Sequence, residues 1–131
     1  MPVDVQYITR QMTLEEKVGQ MAQITVGVIS QSDGKAPLVL NPEKLYDAVV
    51  NYHVGSILNV DNVAITPENW HEVIALIQDV ALQQTRLKIP VIYGIDSIHG
   101  ANYTTGATVF PQNIAMAATG NVDLVLKASE I

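Results

Sequence analysis

The chain has 131 residues, room for one domain, and is 48% hydrophobic, 15% charged and 5% aromatic, a composition that fills a core and excludes intrinsic disorder. Seven Lys and Arg against thirteen Asp and Glu leave a net charge of −6. That sign excludes a nucleic-acid partner, whose affinity rests on neutralised phosphates, and argues against an anionic membrane surface.

No cysteine is present, so disulfides, thiolate catalysis and cysteine-based zinc sites are excluded. Met1 is followed by Pro2, Val3 and Asp4 rather than a basic patch and an apolar run, and no signal peptide is expected. The longest stretch without Asp, Glu, Lys or Arg, Ser97 to Val122, holds Pro111, three glycines and many Thr, Asn and Gln residues. It is unsuited to crossing a bilayer, and a soluble protein is expected.

The first clear element opens at Thr13. Thr13-Leu14-Glu15-Glu16 is a capping box, and Leu14, Val18 and Met21 follow at helical spacing to an end near Ala22. Ile24 to Ile29 is rich in β-branched residues and reads as a short strand. Ser30 to Leu40, with Asp33-Gly34 and Pro37, reads as a loop or hairpin. Pro42 opens a second helix with Leu45, Val49 and Tyr52 on one face, Gly55 stops it, and Ser56 to Val60 is the next strand.

Thr66, Pro67 and Glu68 start a long helix as cap, first helical position and dipole partner. Its buried stripe is Trp70, Val73, Ile74, Ile77 and Ala81, and it gives out near Arg86. Pro90 precedes Val91 to Ile95, an apolar run without alternation, as expected of a parallel strand buried on both faces. Gly55 to Asp96 is therefore a βαβ unit. Ser97 to Gly120 shows no convincing period, which in a compact domain points to a functional or disordered loop. Asn121 caps a last helix through Val122, Leu124, Val125 and Leu126, within which the sequence stops. Two or three parallel strands cannot close a barrel, which takes about 250 residues, so the front part of a larger domain is expected.

Asp96 is the first candidate for chemistry. It lies just past a parallel strand, where βα loops hold active groups. A carboxylate there binds sugar hydroxyls, a metal or a proton in transit, or else caps a loop or pairs with a distant Arg. Asp61 follows its strand in the same way, so the two could face one pocket; otherwise Asp61-Asn62 is ordinary turn chemistry.

Other patterns fail. Asp96, Ser97 and His99 are too close in sequence for a hydrolytic triad and lack the nucleophile-elbow spacing. His71-Glu72 has Ala75 where a zincin helix needs its second His, and the three histidines are scattered, so no metal site is expected. His71 reads as an exposed helix residue and His53 as a helix-end residue near a carbonyl. No phosphate-cradling glycine pattern occurs. The sequon Asn102-Tyr103-Thr104 carries no weight, and Trp70 belongs to the core stripe of its helix.

Several blocks in order resemble glycoside hydrolase family 3, the β-glucosidase and exo-β-glucanase family. Met12 to Met21 resembles its opening helix and Tyr52 to Leu58 an early barrel strand. Ile89-Pro90-Val91-Ile92-Tyr93-Gly94-Ile95-Asp96-Ser97-Ile98-His99-Gly100 is the strongest match, continued by Gly106 to Asn113 and Ala117 to Thr119.

The resemblance implies an α/β fold, the N-terminal portion of a TIM-like (β/α) barrel left incomplete, with residues 1–131 as one partial domain. It implies a retaining exo-hydrolase that releases terminal β-D-glucosyl residues from a β-glucoside or β-glucan oligosaccharide, without a cofactor. Asp96, in Gly94-Ile95-Asp96, would hold sugar hydroxyls as the substrate-binding residue, while Tyr93 and His99 would shape its loop. The nucleophile, the acid/base and the other sugar-binding side chains have no counterpart here. No catalytic residue is therefore assigned, and the isolated chain is expected to be inactive. The family leans towards periplasmic or secreted enzymes. The alternative reading is a non-catalytic barrel fragment that binds sugar or assembles with itself through exposed strand edges and apolar faces.

Overall fold

The computed structural model describes residues 4–130. Helix α1 (Val5–Gln11), ahead of the first element read from the sequence, is capped by Asp4, whose carboxylate accepts from the Tyr7 N–H at 2.9 Å. Helix α2 (Leu14–Gln20) has the expected capping box: the Glu16 N–H donates to Thr13 Oγ1 at 3.2 Å and the Thr13 N–H to Glu16 Oε2 at 2.8 Å.

Strand β1 (Gln23–Thr25) is shorter than its β-branched run suggested, because Val26–Val28 tighten into a 3₁₀ turn. Helix α3 (Pro42–Tyr46) runs into a π turn over Asp47–Asn51. What ends it is His53, at φ +56°, not Gly55. Then come strand β2 (Ser56–Leu58), helix α4 (Pro67–Gln84) and strand β3 (Ile92–Gly94). Two short helices close the described chain, α5 (Asn113–Ala118) and α6 (Val122–Ser129). Of these α5 lacks a side-chain cap, which is why its sequence gave no start signal, whereas Asn121 caps α6 as expected.

The three strands form one parallel sheet in the order β1-β2-β3, with Ile24, Ile57 and Tyr93 in one row and Thr25, Leu58 and Gly94 in the next. The connections through α3 and α4 make it two consecutive βαβ units, an α/β arrangement. Fully buried Ile57 joins Val26, Ile29, Leu38, Leu45, Val49, Val73, Ile77 and Ala81 in one core, with Trp70 packed on its margin.

Two apolar runs are not covered as the sequence suggested. Ile92 of β3 is 71% exposed. Alternate strand residues point to opposite faces, and no described element covers the face opposite α4. On α2 the stripe itself is outside: Leu14, Val18 and Met21 are 70%, 55% and 80% exposed. The helix is held from its other side, by buried Glu16 and Gly19. Glu16 takes two hydrogen bonds from Arg86, at 2.6 and 3.2 Å, and Arg86 also donates to the Gln11 carbonyl at 2.7 Å. No helix among the described residues is long and apolar enough to cross a membrane.

Candidate functional site

Parallel strands place their following loops at one end of a sheet. At that end of β2 and β3 stand Asn59 and Asp96, one residue after Leu58 and two after Gly94. They are joined twice: Asn59 Nδ2 donates to Asp96 Oδ2 at 2.9 Å, and the Asp96 N–H donates to Asn59 Oδ1 at 2.9 Å. Asn59 takes φ +62°, a left-handed conformation that asparagine tolerates better than most residues. Its N–H donates to the Gly94 carbonyl at 2.8 Å and its carbonyl accepts the Tyr93 hydroxyl at 2.5 Å.

Tyr93 is anchored in turn by Trp70, whose ring meets it edge-on at 5.7 Å and 89°. Desolvation pushes the Tyr93 hydroxyl well above the usual phenol range, so it stays protonated and remains a donor. Trp70, expected within the buried stripe of α4, lies half-buried at the margin of the core, with its buried Nε1 unpartnered among the described residues.

Asp96 is exposed, and no described residue donates to its Oδ1. Asp61 does not join it. The Asp61 carboxylate accepts from the Gly34 N–H at 3.1 Å and so ties the loop after β1 to the loop after β2. This is a tie between two loops, not the local turn contact that Asp61-Asn62 suggested.

The loop after Asp96 is ordered by its own pairing. The Phe110 N–H donates to the His99 carbonyl at 2.7 Å, and His99 Nδ1 lies 2.7 Å from the Phe110 carbonyl. A carbonyl only accepts, so Nδ1 carries the proton. Gly100, at φ +108°, lies so close to the Thr108 carbonyl that any side chain would strike it. The loop is stitched to the start of α4 through Ile65, which donates to the Tyr103 carbonyl at 3.0 Å and accepts from the Thr105 N–H at 2.9 Å. Ser97, His99, Phe110, Asn113 and Met116 border a cleft of about 420 Å³ behind it.

His71 is exposed on α4, and the carbonyl of His53 accepts from Gln20 Nε2 at 3.1 Å. Among the described residues no three His, Asp or Glu side chains gather as a metal site requires. The sequence singles out Asp96 but not Asn59, to which the structure joins it. Its signal, an Asn directly after a strand whose neighbour strand ends in Gly-Ile-Asp, becomes informative only once the two strands are known to be adjacent.

Chemically the site is one oriented carboxylate. It can accept hydrogen bonds from paired hydroxyl groups; glycoside cleavage takes two carboxylates flanking the bond, and no second one is hydrogen-bonded to Asp96 among the described residues.

Residues 13–131 match the family described as "Glycosyl hydrolase family 3 N terminal domain". The chain is 33% identical to a lysosomal beta glucosidase of Dictyostelium discoideum over 97% of its own length and 16% of that protein's. It is 29% identical to a periplasmic beta-glucosidase of Salmonella typhimurium over 90% of its length and 12% of the relative's. The chain thus spans less than a fifth of the curated relatives it matches.

Proposed function

The chain belongs to glycosyl hydrolase family 3, and on that premise we propose that it is the front of the catalytic (β/α) barrel of a longer, retaining β-glucosidase. Glycosidase chemistry is supported by the β-glucosidase relatives. The observation that carries the rest is the Asp96 carboxylate, held through one oxygen by Asn59 at the loop end of parallel strands.

In this reading Asp96 accepts hydroxyl protons of the terminal glucosyl unit. Charge-assisted hydrogen bonds of this kind are stronger than neutral ones, and losing two is worth about 2–4 kcal/mol. Bond cleavage falls to an acid/base and a nucleophile supplied elsewhere in the longer polypeptide, and the isolated chain does not turn over. Among the described residues the outer edges of β1 and β3 have no strand partner and the far face of the sheet no cover, which fits a barrel completed by later strands and helices. The same edges favour the second reading, a self-associating fragment.

An aryl β-glucoside assay of the complete polypeptide and of the 131-residue chain tests this. The complete enzyme is expected to be active, the short chain inactive, and Asp96→Ala to lower kcat/KM on the order of a hundredfold. Turnover by the mass-verified short chain, or full activity after Asp96→Ala, refutes it.

A further inference from the structure

We propose that Asn59 is the positioning residue of this site, fixing the Asp96 carboxylate so that its remaining lone pairs meet two sugar hydroxyls at once. The inference rests on Asp96 as the sugar-binding group.

An ionised carboxylate is acceptor-only, with about four lone-pair directions. On an exposed loop it would sample several orientations. Asn59 removes that freedom from both sides: Nδ2 holds Oδ2 while Oδ1 holds the Asp96 N–H, so backbone and carboxylate are set by the same amide. Asn59 has no freedom of its own to lose, because each of its polar groups is engaged. The N–H and carbonyl are fixed to Gly94 and to the Tyr93 hydroxyl, and Tyr93 leans on Trp70.

The arrangement is therefore a chain of contacts running from the core margin of α4 through Tyr93 to one oxygen of Asp96. It leaves Oδ1 without a described donor. A group whose interactions strengthen in the transition state gains most from being fixed beforehand, and Asn59 supplies that without touching substrate.

Two substitutions separate positioning from support. Asn59→Gly suits the left-handed backbone and deletes the amide. Asn59→Asp keeps the acceptor for the Asp96 N–H but replaces the donor to Oδ2 with a like charge. In the complete polypeptide, Asn59→Gly is expected to lower kcat/KM on an aryl β-glucoside about tenfold, the size of one hydrogen bond to a charged group. Asn59→Asp is expected to lower it further, although it preserves more of the turn. In an Asp96→Ala background Asn59→Gly should add less than twofold.

A supporting role alone gives the reverse order, with Asn59→Asp the milder change, and effects that multiply with Asp96→Ala; either result overturns the proposal. If Asp96→Ala cripples the enzyme while both Asn59 variants stay within twofold of the parent, positioning fails and the sugar-binding reading survives. An unaffected Asp96→Ala enzyme removes both. Should Asn59→Asp fail to fold, Asn59→Gly and its coupling to Asp96→Ala still decide.

Discussion

Gly19 and Gly55 meet backbone to backbone: the Gly55 N–H donates to the Gly19 carbonyl at 3.1 Å. The Gly19 carbonyl already accepts from the Ala22 N–H at 2.9 Å in the turn that closes α2, and it takes this second bond from the segment entering β2. A methyl group on Gly19 would collide with the Tyr52 carbonyl and His53, and one on Gly55 with the Gln20 backbone. The contact continues as Ser56 N–H to the Ala22 carbonyl at 3.3 Å, beside the Gln23–Ser56 pair that begins the β1–β2 register.

Gly55→Ala should therefore destabilise the chain by about 1–3 kcal/mol, the usual range when backbone must shift to admit extra volume. Gly94→Ala is the control, because its added carbon would meet only Leu58 Cδ1 at an ordinary 3.5 Å. Urea midpoints followed by fluorescence of the single tryptophan compare the two. Equal shifts would mean that the Gly19–Gly55 approach is slack.

The Glu16–Arg86 pair gives the fold an acid limit. Hydrogen bonds from Arg86, then from the Thr13 backbone, hold the Glu16 carboxylate below the usual range. A folded value below the unfolded one stabilises at pH above the unfolded value, about 4.3, and that contribution is lost as pH falls through the lowered folded value. Because the Arg86 side chain is 54% exposed, the pair is screened, and Glu16→Gln should cost about 1–2 kcal/mol at pH 7. Parent and variant should converge in urea titrations carried towards pH 2. A constant gap at all pH values would assign the loss to packing.

What the sequence disclosed was mostly local. The capping box at Thr13, the Thr66-Pro67 start of α4 and the Asn121 cap each depend on residues a few positions apart, and each formed as read. The long apolar stripe of α4 was legible for the same reason. The end of α3 was misplaced because left-handed geometry fell on His53 while Gly55 was needed for close approach. Period alone could not show that Leu14, Val18 and Ile92 lack cover, since hydrophobicity states a preference and not whether a neighbour exists. Asp96 was legible from its place after a strand; its clamp by Asn59, 37 positions away, was not.

Buried amides hold backbone elsewhere too, and their burial ranks their importance. Asn69, buried in α4, accepts from the Leu38 N–H at 2.8 Å and donates to the Leu38 carbonyl at 3.0 Å. Half-buried Gln78 does the same for Val91, at 3.1 and 2.7 Å. Asn69→Ala strands two buried backbone groups and should cost about 2–4 kcal/mol. Gln78→Ala frees the backbone groups of Val91 at a contact that is only part-buried and should cost less, about 1 kcal/mol. Urea unfolding of the two variants checks the order, and a larger loss at Gln78 would contradict it.

The exposed stripe of α2 distinguishes a completed barrel from a self-sufficient fragment. Leu14 and Val18, with Ala22, Val28 and Tyr52, line a mostly apolar groove of about 990 Å³ beside β1. If later elements of a longer polypeptide fill it, Val18 is a surface residue in the short chain and a core residue in the complete one. Val18→Gln should then change the stability of the short chain by no more than about 0.5 kcal/mol. In the complete polypeptide it should cost roughly 1.5–3 kcal/mol, the transfer free energy of a buried aliphatic side chain. Calorimetric unfolding of both lengths reads the difference directly. A small effect in both would leave the groove open to solvent in the finished protein, and a concentration-dependent loss confined to the short chain would give the surface to self-association instead.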